Sequence, residues 1–368
     1  MGTVADKLNK LIETKEAIKT SIQNKGVEVL DTDPFASYPE KIDSISGDVS
    51  EYFNVSPSET SSGNFNTSWI INNFILKLPD ITLPQEKSDC TAMFREWNLP
   101  ILPKITNTNF IGTAYGMFVA CKTKSYDFSE WDISNITSMS NMFSSSYFEE
   151  LDLRNWNLSG LSSGAAQNVF NSCWAQKILA PNLLTNNITH FNGFESCSQL
   201  ETLDISNWDT SNISAFANWF YQCRKLTQLD LSHFDTRNAT NFKQMFRTCP
   251  ALTTLNISSF DFSKTTNPYI MFDGCSALEN LQFGINLGKG YTKKSTNYEY
   301  KMDVSTCPLL THDSIMSIIN GLYDLNLTYD VANGGTLYTQ QLVLGETNMA
   351  KLTDEEIAIA TNKGWTLS

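Results

Sequence analysis

Cysteine is the first residue type in this chain whose chemistry and spacing need an explanation. A thiolate ligates metals, forms disulfides and acts as a nucleophile. The chain has eight cysteines, and none forms a CxxC pair. Six occupy one position of a repeated phrase: Cys121, Cys173, Cys197, Cys223, Cys249 and Cys275. This regular spacing predicts a stacked column of buried structural thiols, with Cys90 and Cys307 outside the column.

Aspartates recur in two positions of successive copies, at Asp204 and Asp209 and then at Asp230 and Asp235. A carboxylate pair performs acid–base chemistry in glycosidases, which would make the chain a polysaccharide depolymerase. A catalytic pair should be singular, whereas a repeated aspartate suits a turn or cap acceptor. Glu149 and Glu150 are not repeated, but adjacent strand residues point to opposite faces. We therefore predict no catalytic residues and no enzyme, and keep the depolymerase as the weaker alternative.

The three histidines, His190, His233 and His312, lie far apart and in different frames of the repeat. No glycine-rich phosphate loop, nucleophile elbow or HExxH motif accompanies them. We predict neither a metal site nor a cofactor.

The elements that position these residues follow one period. An aromatic frame recurs at Phe94, Phe118, Phe143, Phe170, Phe194, Phe220, Phe246 and Phe272, at intervals of 24, 25, 27, 24, 26, 26 and 26 residues. The last six of these phenylalanines, together with the cysteines from Cys173 onward, are the predicted core columns. A fixed period of this length is typical of repeat architectures, in which neighbouring units bury each other's apolar faces.

Each unit reads as a strand such as LDISNW, a polar turn such as DTSN, and a short helix with apolar residues four apart, as at Phe242 and Phe246. The predicted fold class is an α/β solenoid, a leucine-rich-repeat-like array of about eight units of 24–27 residues. A second aromatic column comprises Trp131, Trp156, Trp208, Phe234 and Phe260. It either fills the core, which we favour, or forms an exposed ladder for sugar rings.

The two ends differ from the array, which is assigned to residues 70–283. Residues 1–46 predict a helical segment for attachment or oligomerisation, with an apolar seam at Val4, Leu8, Leu11, Ile18 and Ile22. A single amphipathic helix packing on protein is the alternative. Residues 47–69 are a Ser/Gly/Asn-rich linker, and 284–368 predict an irregular coil and an α+β cap with a hairpin at 333–335.

The net charge of −13 disfavours nucleic acid, because acidic surfaces repel phosphate backbones. No N-terminal signal pattern and no run of about 18 apolar residues is visible, so we expect neither secretion by that route nor membrane insertion. The first cysteine, Cys90, is too late for a lipoprotein anchor.

The phrase LxxLDLSNWDTSNxTxxxxMFxxC, carried by residues 200–223, 226–249 and 252–275, resembles BspA-like leucine-rich repeats, also called the mycoplasma-lipoprotein repeat. These repeats occur in bacterial surface proteins and in structural proteins of gut bacteriophages. The segment ADKLNKLIETKEAIKTSIQNKGVEV resembles the N-terminus of phage tail and fibre proteins. LLTHDSIMSIINGLYDL and AKLTDEEIAIATNKGWTLS resemble the C-terminal end of phage versions of the repeat.

The resemblance implies a virion protein assembled in the bacterial cytoplasm, a head or tail fibre or decoration. A bacterial cell-surface adhesin is the alternative. We expect a homo-oligomer, with a trimer favoured, that contacts other virion proteins through its N-terminus and a host glycan or protein through its repeats. Recognition should lie where the copies differ, at Ser211, Asn212, Ser214, Arg237, Asn238 and Thr240.

Overall fold

The computed structural model describes residues 80–368 apart from 87, 99–101, 157, 162–163, 185–186, 267, 269, 291–300 and 328–339, and also Glu16, Lys19, Thr20 and Gln23. Those four N-terminal residues are helical. The predicted seam, Val4, Leu8, Leu11, Ile18 and Ile22, lies outside the described residues, as does the predicted linker at 47–69.

Short parallel strands dominate the described part of the chain. The first seven are β1 (Ile81–Thr82), β2 (Ser88–Asp89), β3 (Ile105–Thr106), β4 (Ile111–Thr113), β5 (Glu150–Asp152), β6 (Lys177–Leu179) and β7 (Thr202–Asp204). The others are β8 (Gln228–Asp230), β9 (Thr254–Asn256), β10 (Asn280–Gln282), β11 (Lys301–Asp303), β12 (Gln340–Val343) and β13 (Trp365–Leu367). The sheets are β1–β3, β2–β4, β5–β6–β7, β8–β9–β10 and β11–β12–β13, all parallel.

From β5 to β10, each repeat contributes one strand that pairs with a strand of a neighbouring repeat. In the third sheet Leu151 aligns with Ile178, and Ile178 aligns with Leu203. In the fourth sheet Leu229, Leu255 and Leu281 align in the same way and are buried. Parallel pairing with matched apolar residues places equivalent positions of successive units side by side. The strand units are therefore compatible with a repeat array.

The segments around the repeated phenylalanines are consecutive turns, which corrects the predicted short helices. The Phe220 N–H donates to the carbonyl of Met245 in the next repeat at 2.8 Å. The Cys223 N–H donates back to Phe220 O, three residues earlier, at 3.2 Å. Left-handed residues, Asn218 (φ 62°) and Gln222 (φ 61°), flank the phenylalanine. An α-helix instead requires uniform right-handed residues and bonds four residues apart within the segment.

The repeated phenylalanines stack as a continuous column. The successive ring centroids of Phe94, Phe118, Phe143, Phe170, Phe194, Phe220, Phe246 and Phe272 are 5.5, 5.5, 6.0, 5.2, 5.7, 5.7 and 5.7 Å apart. All eight rings are buried. Offset stacked aromatic pairs contribute about 0.5–1.5 kcal/mol each beyond the burial of apolar area. The column therefore couples each repeat to the next.

The second aromatic column also lies in the core. Trp131, Trp156, Trp208, Phe234 and Phe260 are all buried. The Trp208 indole N–H donates to Ala180 O at 2.6 Å. These side chains consequently form no sugar ladder on the surface.

In the described residues after the last repeat there are three α-helices: α1 (His312–Gly321), α2 (Glu346–Met349) and α3 (Asp354–Asn362). Among the described residues, 3₁₀ turns lie at Thr108–Phe110 and Leu325–Leu327. The hydroxyls of Ser314 and Ser317 on α1 accept the N–H groups of Leu281 and Phe283, both at 2.8 Å. Helix α1 thus covers the outer edge of β10, whose backbone groups would otherwise be exposed. A capping box formed by Thr353 and Glu356 begins α3.

The expected hairpin at 333–335 is not supported by its described flanks, although the turn itself lies outside the described residues. Leu325–Leu327 is a 3₁₀ turn, not a strand. Both edges of β12 are occupied by parallel neighbours, β11 and β13. The expected irregular coil before α1 likewise contains β11. A β-like sequence does not reveal its partner strand, and here long-range pairing decided the topology.

Candidate recognition surface

The cysteine column has a structural role in the described repeats. Four of the column thiols donate to the phenylalanine carbonyl of the preceding repeat: Cys197 to Phe170 at 2.9 Å, Cys223 to Phe194 at 3.2 Å, Cys249 to Phe220 at 3.0 Å and Cys275 to Phe246 at 3.0 Å. Phe170 O also accepts the Cys173 N–H at 2.9 Å, so both of its acceptor sites are used. Burial raises the pKa of the Cys197 and Cys223 thiols.

Cys307 belongs to this column, which corrects its expected place outside it. Its Sγ lies 3.6 Å from Phe272 O and donates to that carbonyl, as the other cysteines do one repeat earlier. Cys90 is buried at a different position, four residues before Phe94, and burial raises the pKa of its thiol to about 12. All eight cysteines are reduced and buried.

The repeated aspartates accept hydrogen bonds in turns. Asp204, Asp209, Asp230 and Asp235 each accept the backbone N–H two residues later, at 2.9–3.2 Å. Asn256 does the same for Ser258 at 3.1 Å. Hydrogen bonds from Ser232 lower the pKa of Asp230. These contacts occupy the carboxylates in local structure.

The adjacent glutamates and His312 each pair with a charged side chain elsewhere in the fold. Glu149 pairs with Lys124 at 3.0 Å, whereas Glu150 pairs with Lys177 at 2.8 Å. His312 contacts Glu356 of α3 at 2.7 Å, and hydrogen bonding to that carboxylate raises the pKa of the imidazole. Within the described residues, no cluster of three His, Cys, Asp or Glu side chains could hold a metal ion.

A shallow cleft of about 180 Å³ is lined by Ser129, Asp152, Arg154 and Asn155. The Arg154 guanidinium in this cleft is paired with Asp152, and Arg154 Nη2 lies 2.6 Å from Asp152 Oδ2. The Asn155 amide donates to Ser129 O at 3.2 Å. The polar groups of this cleft are thus paired with each other.

The residues predicted for recognition lie on adjacent repeats at the surface. Ser211 is half-buried, and Asn212, Ser214, Arg237, Asn238 and Thr240 are exposed. Several of them also join the two repeats: the Asn238 amide donates to Ser211 O at 2.9 Å and the Thr240 hydroxyl to Ser214 O at 3.2 Å. Arg237 is paired with Asp235 at 2.6 Å. Part of their hydrogen-bonding capacity is therefore used within the fold, and their role in recognition stays a prediction.

The sequence analysis missed an exposed aromatic pair. Tyr147 and Trp174 are 39% and 46% exposed, and their rings stack at 5.1 Å with 21° between the planes. Each is four residues after the phenylalanine of its repeat, next to the buried column position. We call these two residues the aromatic platform. The sequence does mark this pair as unusual. Other repeats have Lys122, Ser198 and Arg224 at the same position, so two aromatic residues there depart from the pattern.

The described residues contain no helix that is long and apolar enough to cross a membrane.

Comparison with family models gives a match to a family described as "Mycoplasma protein of unknown function, DUF285", over residues 88–175 and 164–284. Together these matches span more than half of the 368 residues. The chain belongs to this family. No curated protein and no solved structure matches the chain.

The DUF285 matches contain both the buried columns and the aromatic platform. Tyr147 lies in the first match, and Trp174 lies in the segment 164–175 shared by both. The family assignment agrees with the resemblance to mycoplasma-lipoprotein repeats. Its description assigns no function, so the function has to be argued from the surface of the repeats.

Proposed function

We propose that this DUF285 protein is a non-enzymatic binding scaffold whose repeats form a solenoid. The observation that carries this proposal is that the repeated thiols and carboxylates make hydrogen bonds within the fold. The column thiols from Cys197 onward donate to phenylalanine carbonyls, and the repeated aspartates accept turn N–H groups. Side chains committed in this way in repeat after repeat stabilise a framework and leave the variable surface positions to contact a partner.

The setting we propose is a bacteriophage virion, as a fibre or decoration of the head or tail. The resemblance of residues 5–29 and of the C-terminal segments to phage proteins supports this setting. The N-terminal segment would attach to the particle or associate as a trimer, and the repeats would contact the host surface or other virion proteins. Many copies on one particle raise the overall avidity, so that weak individual contacts suffice.

Immunogold labelling tests this function. Antibody raised against the full chain should decorate phage particles at one location, and fluorescently labelled chain should bind the surface of the bacterial host. Gold on the envelope of uninfected cells would instead support a bacterial adhesin. Release of reducing sugars from host capsule by the purified chain would contradict the non-enzymatic proposal.

A further inference from the structure

The aromatic stack of the platform ends at Trp174, because the next repeat has no aromatic residue at the equivalent position. Tyr147 covers one face of the Trp174 ring. In the next repeat, the corner after Cys197 is formed by Ser198 and Gln199, whose side chains lie 3.5 Å apart. A small and a polar residue therefore follow where a third ring would extend the stack. A ring from a ligand fits the chemistry of this position.

The carboxylates around the platform are compensated by lysines. Gln176 is exposed, its N–H donates to Glu149 O at 2.9 Å, and its carbonyl accepts the Glu201 N–H at 2.8 Å. The neighbouring carboxylates are each paired with a lysine: Glu149 with Lys124, Glu150 with Lys177 and Glu201 with Lys225, at 3.0, 2.8 and 3.2 Å. An amide two residues after the indole and a hydroxyl at the equivalent position of the next repeat suit a ligand with many hydroxyls, and the paired carboxylates provide no anionic site.

The size of the platform also selects among ligands. A stable protein partner usually covers about 800 Å² on each side and needs an apolar centre larger than two rings. Tyr115 is also an exposed aromatic residue, but it does not belong to the platform. It lies three residues before its repeat phenylalanine, whereas the platform residues lie four residues after theirs. A pyranose presents a flat face of C–H groups that stacks on an indole, while its hydroxyls bond to amides and hydroxyls.

We infer that Trp174, supported by Tyr147, is the stacking face of a binding site for a neutral hexopyranose unit of a glycan, with Gln176 and Ser198 beside it. This inference rests on the proposed surface-binding function and names its ligand class. A single stacked sugar binds weakly, with a dissociation constant on the order of a millimolar. Display of many copies would raise the avidity for a polymeric glycan.

Isothermal titration of the full chain with maltohexaose, chitohexaose and mannohexaose tests the site. At least one of these neutral oligosaccharides should bind. Trp174→Ala should weaken that binding at least tenfold, because the stacking face is removed. Ser198→Trp should also weaken it, because an added indole would occupy the ligand position. Tyr115→Ala, which removes an exposed aromatic ring outside the platform, is the matched control and should bind as the unchanged chain does.

Far-UV circular dichroism and thermal unfolding should show that all three variants keep the native fold, as expected for substitutions at surface positions. The inference is overturned if none of the three oligosaccharides binds, or if Trp174→Ala and Ser198→Trp both bind as well as the unchanged chain. Trp174-dependent binding of only a tryptophan-containing peptide would also overturn it. A chain that binds sugar through Trp174 but labels neither particles nor cells would refute the proposed function alone.

Discussion

At the scale of single residues, cysteine serves here as a small buried donor. The thiol fills core volume and donates to a carbonyl that already accepts one N–H. Ser146 shows what a hydroxyl does at this position: its Oγ donates to Phe143 O of its own repeat at 2.8 Å. The thiols from Cys197 onward instead reach the preceding repeat. Cysteine from Cys197 onward therefore adds a side-chain bond to the preceding repeat, whereas Ser146 bonds to its own repeat and lies 3.4 Å from Cys173 Sγ of the next one.

These thiols predict a loss of stability in mild alkali. Burial raises the pKa of Cys90, Cys121, Cys173, Cys197, Cys223 and Cys307, and together with the Cys249 hydrogen bond it raises that of Cys275. An unfolded thiol ionises near pH 8.5, whereas the folded thiol stays protonated to higher pH. The stabilisation is complete below that pH and decreases as pH rises toward the folded pKa. Each thiol should remove about 1.4 kcal/mol per pH unit above roughly pH 9.

Guanidinium unfolding curves between pH 7 and 9.5 measure this dependence. Cys223→Ala should lower the free energy of unfolding at pH 7 by about 1–2 kcal/mol, through a cavity and a lost donor. The free energy of unfolding of this variant should also decrease less steeply with pH than that of the unchanged chain, by the contribution of one thiol. A free energy of unfolding that stays constant to pH 9.5 would show that the thiols ionise equally easily in both states.

At the scale of elements, the turn around each phenylalanine depends on residues in the left-handed region. Two such residues flank most of the repeated phenylalanines, one two positions before and one two positions after, as with Gln244 and Thr248 around Phe246. These conformations aim alternate N–H groups at the next repeat. A β-branched threonine is strained there, because its side chain crowds the backbone at positive φ.

Substitutions at two equivalent positions test this strain. Thr248 has φ 60°, and Gly274 has φ 80° in the next repeat. Thr248→Asn should raise the free energy of unfolding by about 0.5–1 kcal/mol, since asparagine tolerates this region better. Gly274→Ala should lower it by about 1–2 kcal/mol, since its new Cβ would lie 3.3 Å from Thr248 Cα in a strained conformation. Thermal unfolding followed by circular dichroism measures both changes, and equal melting temperatures would contradict the strain argument.

The limits of sequence-based prediction also arise at this scale. Phe220 and Cys223 recur at fixed intervals, so the repeat units could be predicted. The four-residue spacing of Phe242 and Phe246 is shared by helices and by these consecutive turns, and only bonds to the next repeat distinguish them. Cys307 follows Cys275 by 32 residues, so an inserted segment hid its place in the column. A search for repeated residues does not find Trp174, because tryptophan occurs only once at this position of the repeats.

At the scale of the whole molecule, the stacked rings and the interlocked turns pass through every repeat, and α1 closes the far edge. A perturbation in one repeat is therefore felt mainly by its neighbours, as in other repeat proteins. The near end is continuous with the segment before residue 80, where Glu16, Lys19, Thr20 and Gln23 are helical. In the function proposed above, the repeats would present the binding surface and the N-terminal helix would provide attachment.

The last prediction concerns that attachment. Leu8 and Leu11 belong to an apolar seam with alternating spacings of four and three residues, which is the pattern of a coiled coil. Light scattering of the full chain should give the mass of a homo-oligomer, with a trimer expected. Deletion of residues 1–46 should give a monomer, and Leu11→Asp in the full chain should do the same, because a charge in the seam is buried on association. Lys10→Glu, a charge change on the face away from the seam, is the control and should leave the mass unchanged. A monomeric full chain, or a truncated chain that keeps the oligomeric mass, would place self-association elsewhere or rule it out, and attachment would then require a different protein as the partner of this helix.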